Sequence, residues 1–162
     1  MNPLRCKVSR RPAKLLAEPH FFLCPSCGRL LWELGPAGKN PSCCGRGLKE
    51  LCPLPAPGRY SYEIRGGFDT NAVLLFWEGE APRWAGLQTF TGFYTKIASE
   101  GKKTPLVFPL ADEDAYVYCG RQQCAKCLYA CKKGCALYIF EGGERLFILT
   151  LDEIAEYFRK SR

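Results

Sequence analysis

The chain has 162 residues, of which 47% are apolar and 13% aromatic, so it is long enough for one or two domains with a real core and too apolar for a disordered chain. Its net charge is +7, and it carries 11 cysteines but a single histidine, His20. No apolar run approaches bilayer-spanning length. The early basic residues Arg5, Lys7, Arg10, Arg11 and Lys14 lead into no secretory apolar segment. A cytoplasmic protein is therefore expected, with cysteines that hold metal instead of pairing as disulfides.

Residues 1–20, MNPLRCKVSRRPAKLLAEPH, read as a basic arm. Pro3, Pro12 and Pro19 oppose a long helix. Cys6 stands alone, and the arm is either a plain tail or an electrostatic contact.

Residues 21–52 hold the densest chemistry. Cys24 and Cys27 stand two residues apart, and after residues 28–42 come the adjacent Cys43 and Cys44. Four thiolates so spaced can converge on one tetrahedral ion, two from each of two turns. Gly28 and Gly45 follow the pairs, where backbone N–H groups must turn toward the sulfurs and φ must become positive. Such N–H···S bonds tune the redox potential of a bound metal.

This stretch resembles the desulforedoxin domain, which also forms the N-terminal part of desulfoferrodoxins. The hallmark of that family is Cys-x-x-Cys-Gly, a spacer of this length, and Cys-Cys-Gly. Cys24, Cys27, Cys43 and Cys44 match its four ligand positions, and Gly28 and Gly45 match its glycines. Phe22, Leu23 and the Leu30-Leu31-Trp32 run fit the small half-barrel around such a site. The resemblance covers residues 21–51 and implies a rubredoxin-like iron held by four thiolates; a structural zinc suits the same ligands.

Residues 53–58 form a proline-rich connector and mark a domain boundary. Cys52, just before it, has no partner spacing and reads as a bystander. Beyond it, residues 59–162 read as an α+β domain of about five strands and three helices. Alternation at 60–64 and the apolar run at 72–77 predict two strands. Leu87, Phe90, Tyr94 and Ile97 recur at helical spacing, so a helix is expected over 85–100 with Gly101 as its C-cap. A strand is expected around Leu106, Val107 and Phe108, then a solvated acidic turn at Asp112, Glu113 and Asp114, then a strand over 115–119.

Residues 119–135, CGRQQCAKCLYACKKGC, form a second cysteine group. A helix over 122–133 puts Cys124, Cys127, Cys131 and Cys135 on one face, but its ends lie ~16 Å apart. The expected ligand set is therefore Cys119, Cys124, Cys127 and Cys131, with Cys135 as substitute. Zinc, iron or an iron–sulfur cluster suits it; a buried stripe of small apolar cysteines is the alternative. Finally, 136–140 and 145–149 flank Glu141-Gly142-Gly143-Glu144 as a hairpin, and Thr150-Leu151-Asp152-Glu153 opens a C-terminal helix as a capping box.

Charge and chemistry narrow the function. Residues 1–23, 24–57 and 119–135 are each net basic and the remainder is net acidic. A divalent metal on four thiolates carries about −2, so the basic residues either offset anionic centres or meet an anionic partner. One histidine cannot build the histidine-rich iron centre of a superoxide reductase. No phosphate-binding glycine loop or Glu-x-x-His pair is present. The expectation is a non-enzymatic iron or zinc protein that transfers electrons to a redox partner. The alternative is a zinc-stabilised nucleic-acid-binding subunit of a larger complex.

Overall fold

The computed structural model describes residues 18–35, 38, 40–66, 70–115, 132 and 134–151. Its regular structure is β throughout, apart from one 3-10 turn at Asp112–Ala115. The expected α+β class is therefore incorrect for the described residues. The expected helix over 122–133, apart from Lys132, the strand beyond Ala115 and the C-terminal helix beyond Leu151 fall outside them, as does the arm up to residue 17.

Strand β1 (His20–Leu23) pairs antiparallel with β2 (Leu30–Glu33). A two-residue-a-side hairpin follows, β3 (Ser42–Cys43) with β4 (Arg46–Gly47), and then β5 (Lys49–Leu51) closes on the other edge of β1. The proline-rich connector contributes β6 (Leu54–Pro55), a short strand whose Pro55 is tolerated at a sheet edge. Next come β7 (Tyr60–Gly66) and β8 (Thr70–Trp77), paired antiparallel over the stretch where the sequence predicts two strands.

The expected helix over 85–100 is instead a β-hairpin of β9 (Trp84–Gln88) and β10 (Phe93–Ile97). Thr89 explains the difference. Its N–H bonds to the Gly92 carbonyl at 2.9 Å, and its Oγ1 accepts from the N–H groups of Gly92 at 3.0 Å and Thr91 at 3.3 Å. This local side-chain bonding competes with helical pairing and makes a turn. The helical spacing of apolar residues is coincidental: Ile97 is 80% exposed, while Leu87 is fully buried. Gly101 does have φ +72°, but it caps no helix.

Strand β11 (Leu106–Ala111) adds to β8, and β12 (Ala136–Gly142) forms the predicted hairpin with β13 (Arg145–Thr150). The central sheet has the order β10-β9-β12-β13-β6 and is covered on both faces. Leu137 and Ile139 of β12 point to one side, against Ile64, Val73, Leu75 and Phe108 of the β11-β8-β7 sheet. Ala136, Tyr138 and Phe140 point to the other, against Phe21, Leu23 and Leu51 of the β2-β1-β5 sheet. This double coverage is why β12 reads as an unbroken apolar run instead of an alternation.

One member of the acidic triplet, Asp114, departs from the expected solvated turn. Asp114 is buried, receives hydrogen bonds from Thr91 Oγ1 at 2.6 Å and from the Tyr94 hydroxyl, and its carbonyl accepts from Lys132 Nζ at 2.8 Å. It ties the β9–β10 turn to the 3-10 turn. Burial and the Asp114 carboxylate push the Tyr94 phenol up to about 12.

Candidate metal centre

The site grows from two tight turns. The first follows β1: Cys24 leaves the strand, residues 25–27 turn, and the Gly28 N–H returns to the Cys24 carbonyl at 2.9 Å while the Cys24 N–H bonds to the Arg29 carbonyl at 2.9 Å. Gly28 takes φ +69°. The second is the β3–β4 hairpin, whose two central residues, Cys44 and Gly45, have φ +53° and +70°. Two successive positive φ values are the signature of a type I′ turn. A cysteine at the first of them is unusual for a residue with a Cβ, and it aims the Cys44 sulfur toward the first turn.

The four sulfurs of Cys24, Cys27, Cys43 and Cys44 all lie within 4.8 Å of one another, positioned to bind a metal. The Cys27–Cys43 and Cys43–Cys44 separations are 3.7 and 3.8 Å. A tetrahedron built on ~2.3 Å metal–sulfur bonds has an edge of ~3.8 Å, so the donor set fits a tetrahedral thiolate-binding ion such as zinc or iron. Cys24 is buried beside Phe22 and Leu48, Cys43 is half-buried, and Cys27 and Cys44 are exposed.

Electrostatics within the cluster favour a cation. The backbone N–H groups of Cys27 and Ser26 face the Cys24 sulfur and, against its desolvation, draw its thiol down to about 6. Sharing with Cys27 first, and then with Cys43 and Cys24, pushes Cys44 up to about 12; Cys43 is also raised, chiefly by Cys27. Four neighbouring thiols cannot all ionise together unless a cation takes the place of their protons.

A Cβ on Gly28 would meet nothing within 4 Å, so glycine is needed there for its backbone angle and not for space. Gly28→Ala is expected to cost roughly 1–2 kcal/mol, the penalty for a side chain in the left-handed region. Gly47→Ala, equally free of neighbours and without a positive φ, should be close to neutral. Denaturant midpoints of the metal-loaded proteins check the contrast.

Of the remaining cysteines, Cys52 is exposed and Cys135 is buried in the core beside Phe90 and Leu137. Cys6 and the proposed second set, Cys119, Cys124, Cys127 and Cys131, lie outside the described residues. The expectations also overlooked two residues at the site. Each cysteine turn ends Cys-Gly-Arg, as Cys27-Gly28-Arg29 and Cys44-Gly45-Arg46, and both arginines are exposed. The repeated tripeptide was the available signal.

Comparison with protein-family models, with characterised proteins and with solved structures returns no match. Among the described residues, no helix is long and apolar enough to cross a membrane.

Proposed function

We propose that this chain is a metal–thiolate protein that exchanges single electrons with a partner redox protein through iron held by Cys24, Cys27, Cys43 and Cys44. The observation that carries this reading is the convergence of four sulfurs within 4.8 Å with two of them, Cys27 and Cys44, at the surface. Bound iron would supply a one-electron couple at a centre whose four places are all filled by protein.

The chain's own residues do the rest. Four cysteines complete a tetrahedral shell, so substrate has no coordination place there and the protein need not act as an enzyme. The ligands are anchored in two tight turns, which keeps their rearrangement on electron gain or loss small. Backbone N–H groups directed at Cys24 stabilise negative charge on sulfur and so favour the reduced, more anionic state. The exposed sulfurs of Cys27 and Cys44 shorten the path to a docked partner. The resemblance of residues 21–51 to desulforedoxin supports iron as the occupant.

The test is metal analysis of protein purified anaerobically from its native host, with a visible spectrum and a dithionite titration. A thiolate-to-iron charge-transfer band that bleaches reversibly supports the reading. Zinc as the sole native metal ends it, because zinc has no redox chemistry. A metal content above one equivalent would point to a further site in residues 119–135.

A second reading has a specific observation behind it. The exposed Arg29 and Arg46 make no ion pair among the described residues. In a zinc-loaded protein they would suit a phosphate backbone, and the alternative of a zinc-stabilised nucleic-acid-binding subunit follows from that.

A further inference from the structure

The two arginines pose a more specific question than overall charge. Elsewhere in the described structure, cations near acids are engaged: Lys49 with Glu144 at 2.7 Å, Arg59 with Glu141, Arg65 with Glu63 at 2.5 Å, and Arg145 with Glu141 at 3.4 Å. Arg29 and Arg46 stand one glycine beyond an exposed ligand cysteine, in the same position on each of the two turns. The positive φ of Gly28 and of Gly45 sets the direction in which the chain leaves each turn.

An apolar residue shares this side of the molecule. Leu31 is paired directly with Phe22 across the β1–β2 ladder, and directly paired residues project to the same face of a sheet. Phe22 packs with Cys24 and Leu48 on the site's side. Leu31 is 36% exposed there; its neighbour Trp32 lies on the opposite face, away from the site, with its ring tilted against Phe93 at 4.9 Å between centroids.

We propose that the outer rim of the four-cysteine site docks a carboxylate-rich surface of a partner protein through Arg29 and Arg46, with Leu31 as its apolar contact. This rests on the metal–thiolate reading of the site. A divalent ion on four thiolates leaves about −2 on this face, which by itself repels an acidic partner. Two guanidiniums at the rim reverse that and offer planar forks suited to carboxylates.

A protein surface fits better than a nucleic acid. Glu50 flanks Phe22 on the same face and is exposed, although His20 Nδ1 lies 3.1 Å from its carboxylate. A continuous phosphate chain would run across that carboxylate, whereas a folded partner can place a few acids on the two arginines and an apolar residue on Leu31. Apolar contact ringed by charge is the usual anatomy of a protein interface.

The test uses the metal-loaded full chain, a labelled short poly-L-glutamate peptide and a single-stranded oligonucleotide of equal charge. Metal content is measured first on every sample. A wild-type protein that takes up no metal overturns the reading of the site, and with it this proposal. With metal retained, Arg29→Ala/Arg46→Ala is expected to bind poly-glutamate about tenfold more weakly and with less salt dependence. Lys102→Ala/Lys103→Ala removes two exposed cations from the connection between β10 and β11 and should change binding by less than about twofold. Equal losses in the two variants, or no loss in the arginine variant, overturn the proposal. Tighter binding of the oligonucleotide, lost in the arginine variant, overturns it in favour of nucleic acid.

Discussion

Replacing any one of Cys24, Cys27, Cys43 or Cys44 with serine is expected to weaken metal binding by more than the 10–100-fold that loss of a mere supporting contact to a ligand typically costs. The reason lies in how little else holds the second turn. Among the described residues, the β3–β4 hairpin pairs Ser42 with Gly47 and Cys43 with Arg46, gains one further bond from the Leu48 N–H to the Pro41 carbonyl at 2.9 Å, and joins no larger sheet. The apolar cluster beneath the site is, among the described residues, Phe22, Cys24 and Leu48, with Cys43 at its margin. Metal binding and folding of this module should therefore be coupled. The core between the central sheet and the β11-β8-β7 sheet contains no residue of this module, so loss of metal should leave it folded. Two measurements check this: metal retained after gel filtration, and hydrogen exchange, which should rise sharply over residues 24–48 and little over 136–150. Because Cys43 and Cys44 hold their protons more tightly than an ordinary thiol, wild-type binding should release protons and weaken as the pH falls. Metal uptake in all four serine variants equal to that of the wild type would refute a four-thiolate site.

Arg59→Met is expected to destabilise the protein by about 2–3 kcal/mol at neutral pH. Arg59 reaches from the start of β7 to Glu141 at the end of β12, and also donates to the carbonyls of Glu78 at 2.9 Å and Glu80 at 3.2 Å. The Tyr60 hydroxyl donates to the same Glu141 carboxylate at 2.7 Å. Removing one partner of a buried pair typically costs ~3–5 kcal/mol because the other charge is stranded. The lower figure reflects that Arg59 keeps 30% of its side chain exposed, whereas Glu141 keeps 10%.

The pH dependence has a definite sign. Burial alone would raise the Glu141 carboxyl, but hydrogen bonds from Tyr60 and Arg59 and the nearby charges of Arg59 and Arg145 hold it below the ordinary carboxylate range. A depressed carboxylate contributes stability that is fully present above its unfolded value of ~4.3 and is lost as pH falls through the folded value. The difference between wild type and Arg59→Met should therefore be largest near neutrality and shrink below about pH 4. Urea melts across that range measure it; a difference independent of pH would show that Arg59 acts only through its backbone contacts.

Chemistry that depends on near neighbours could be read from the residues alone. Cys-x-x-Cys-Gly and Cys-Cys-Gly specify two turns, because glycine tolerates the positive φ that carries the chain away from each pair of sulfurs. The hairpin of β12 and β13 was legible for the same reason: Gly142 and Gly143, with φ +113° and +58°, mark its turn between two apolar runs. Strands β7 and β8 were legible from alternation and from a continuous apolar run. Tertiary structure alone decided the rest. Residues 85–97 carry a helical spacing of apolar side chains, yet β9 fills the place beside β12, where Ala85 and Leu87 are fully buried. Burial against a partner distant in sequence outweighs a weak local periodicity. Asp114 looked like a solvated acid until Thr91, Tyr94 and Lys132 came to meet it from other parts of the chain. The stacking of three sheets, with β12 covered on both faces, and the meeting of the two cysteine turns within 4.8 Å are long-range outcomes too. Sequence spacing says which groups could meet, and only the packed sheets bring them together.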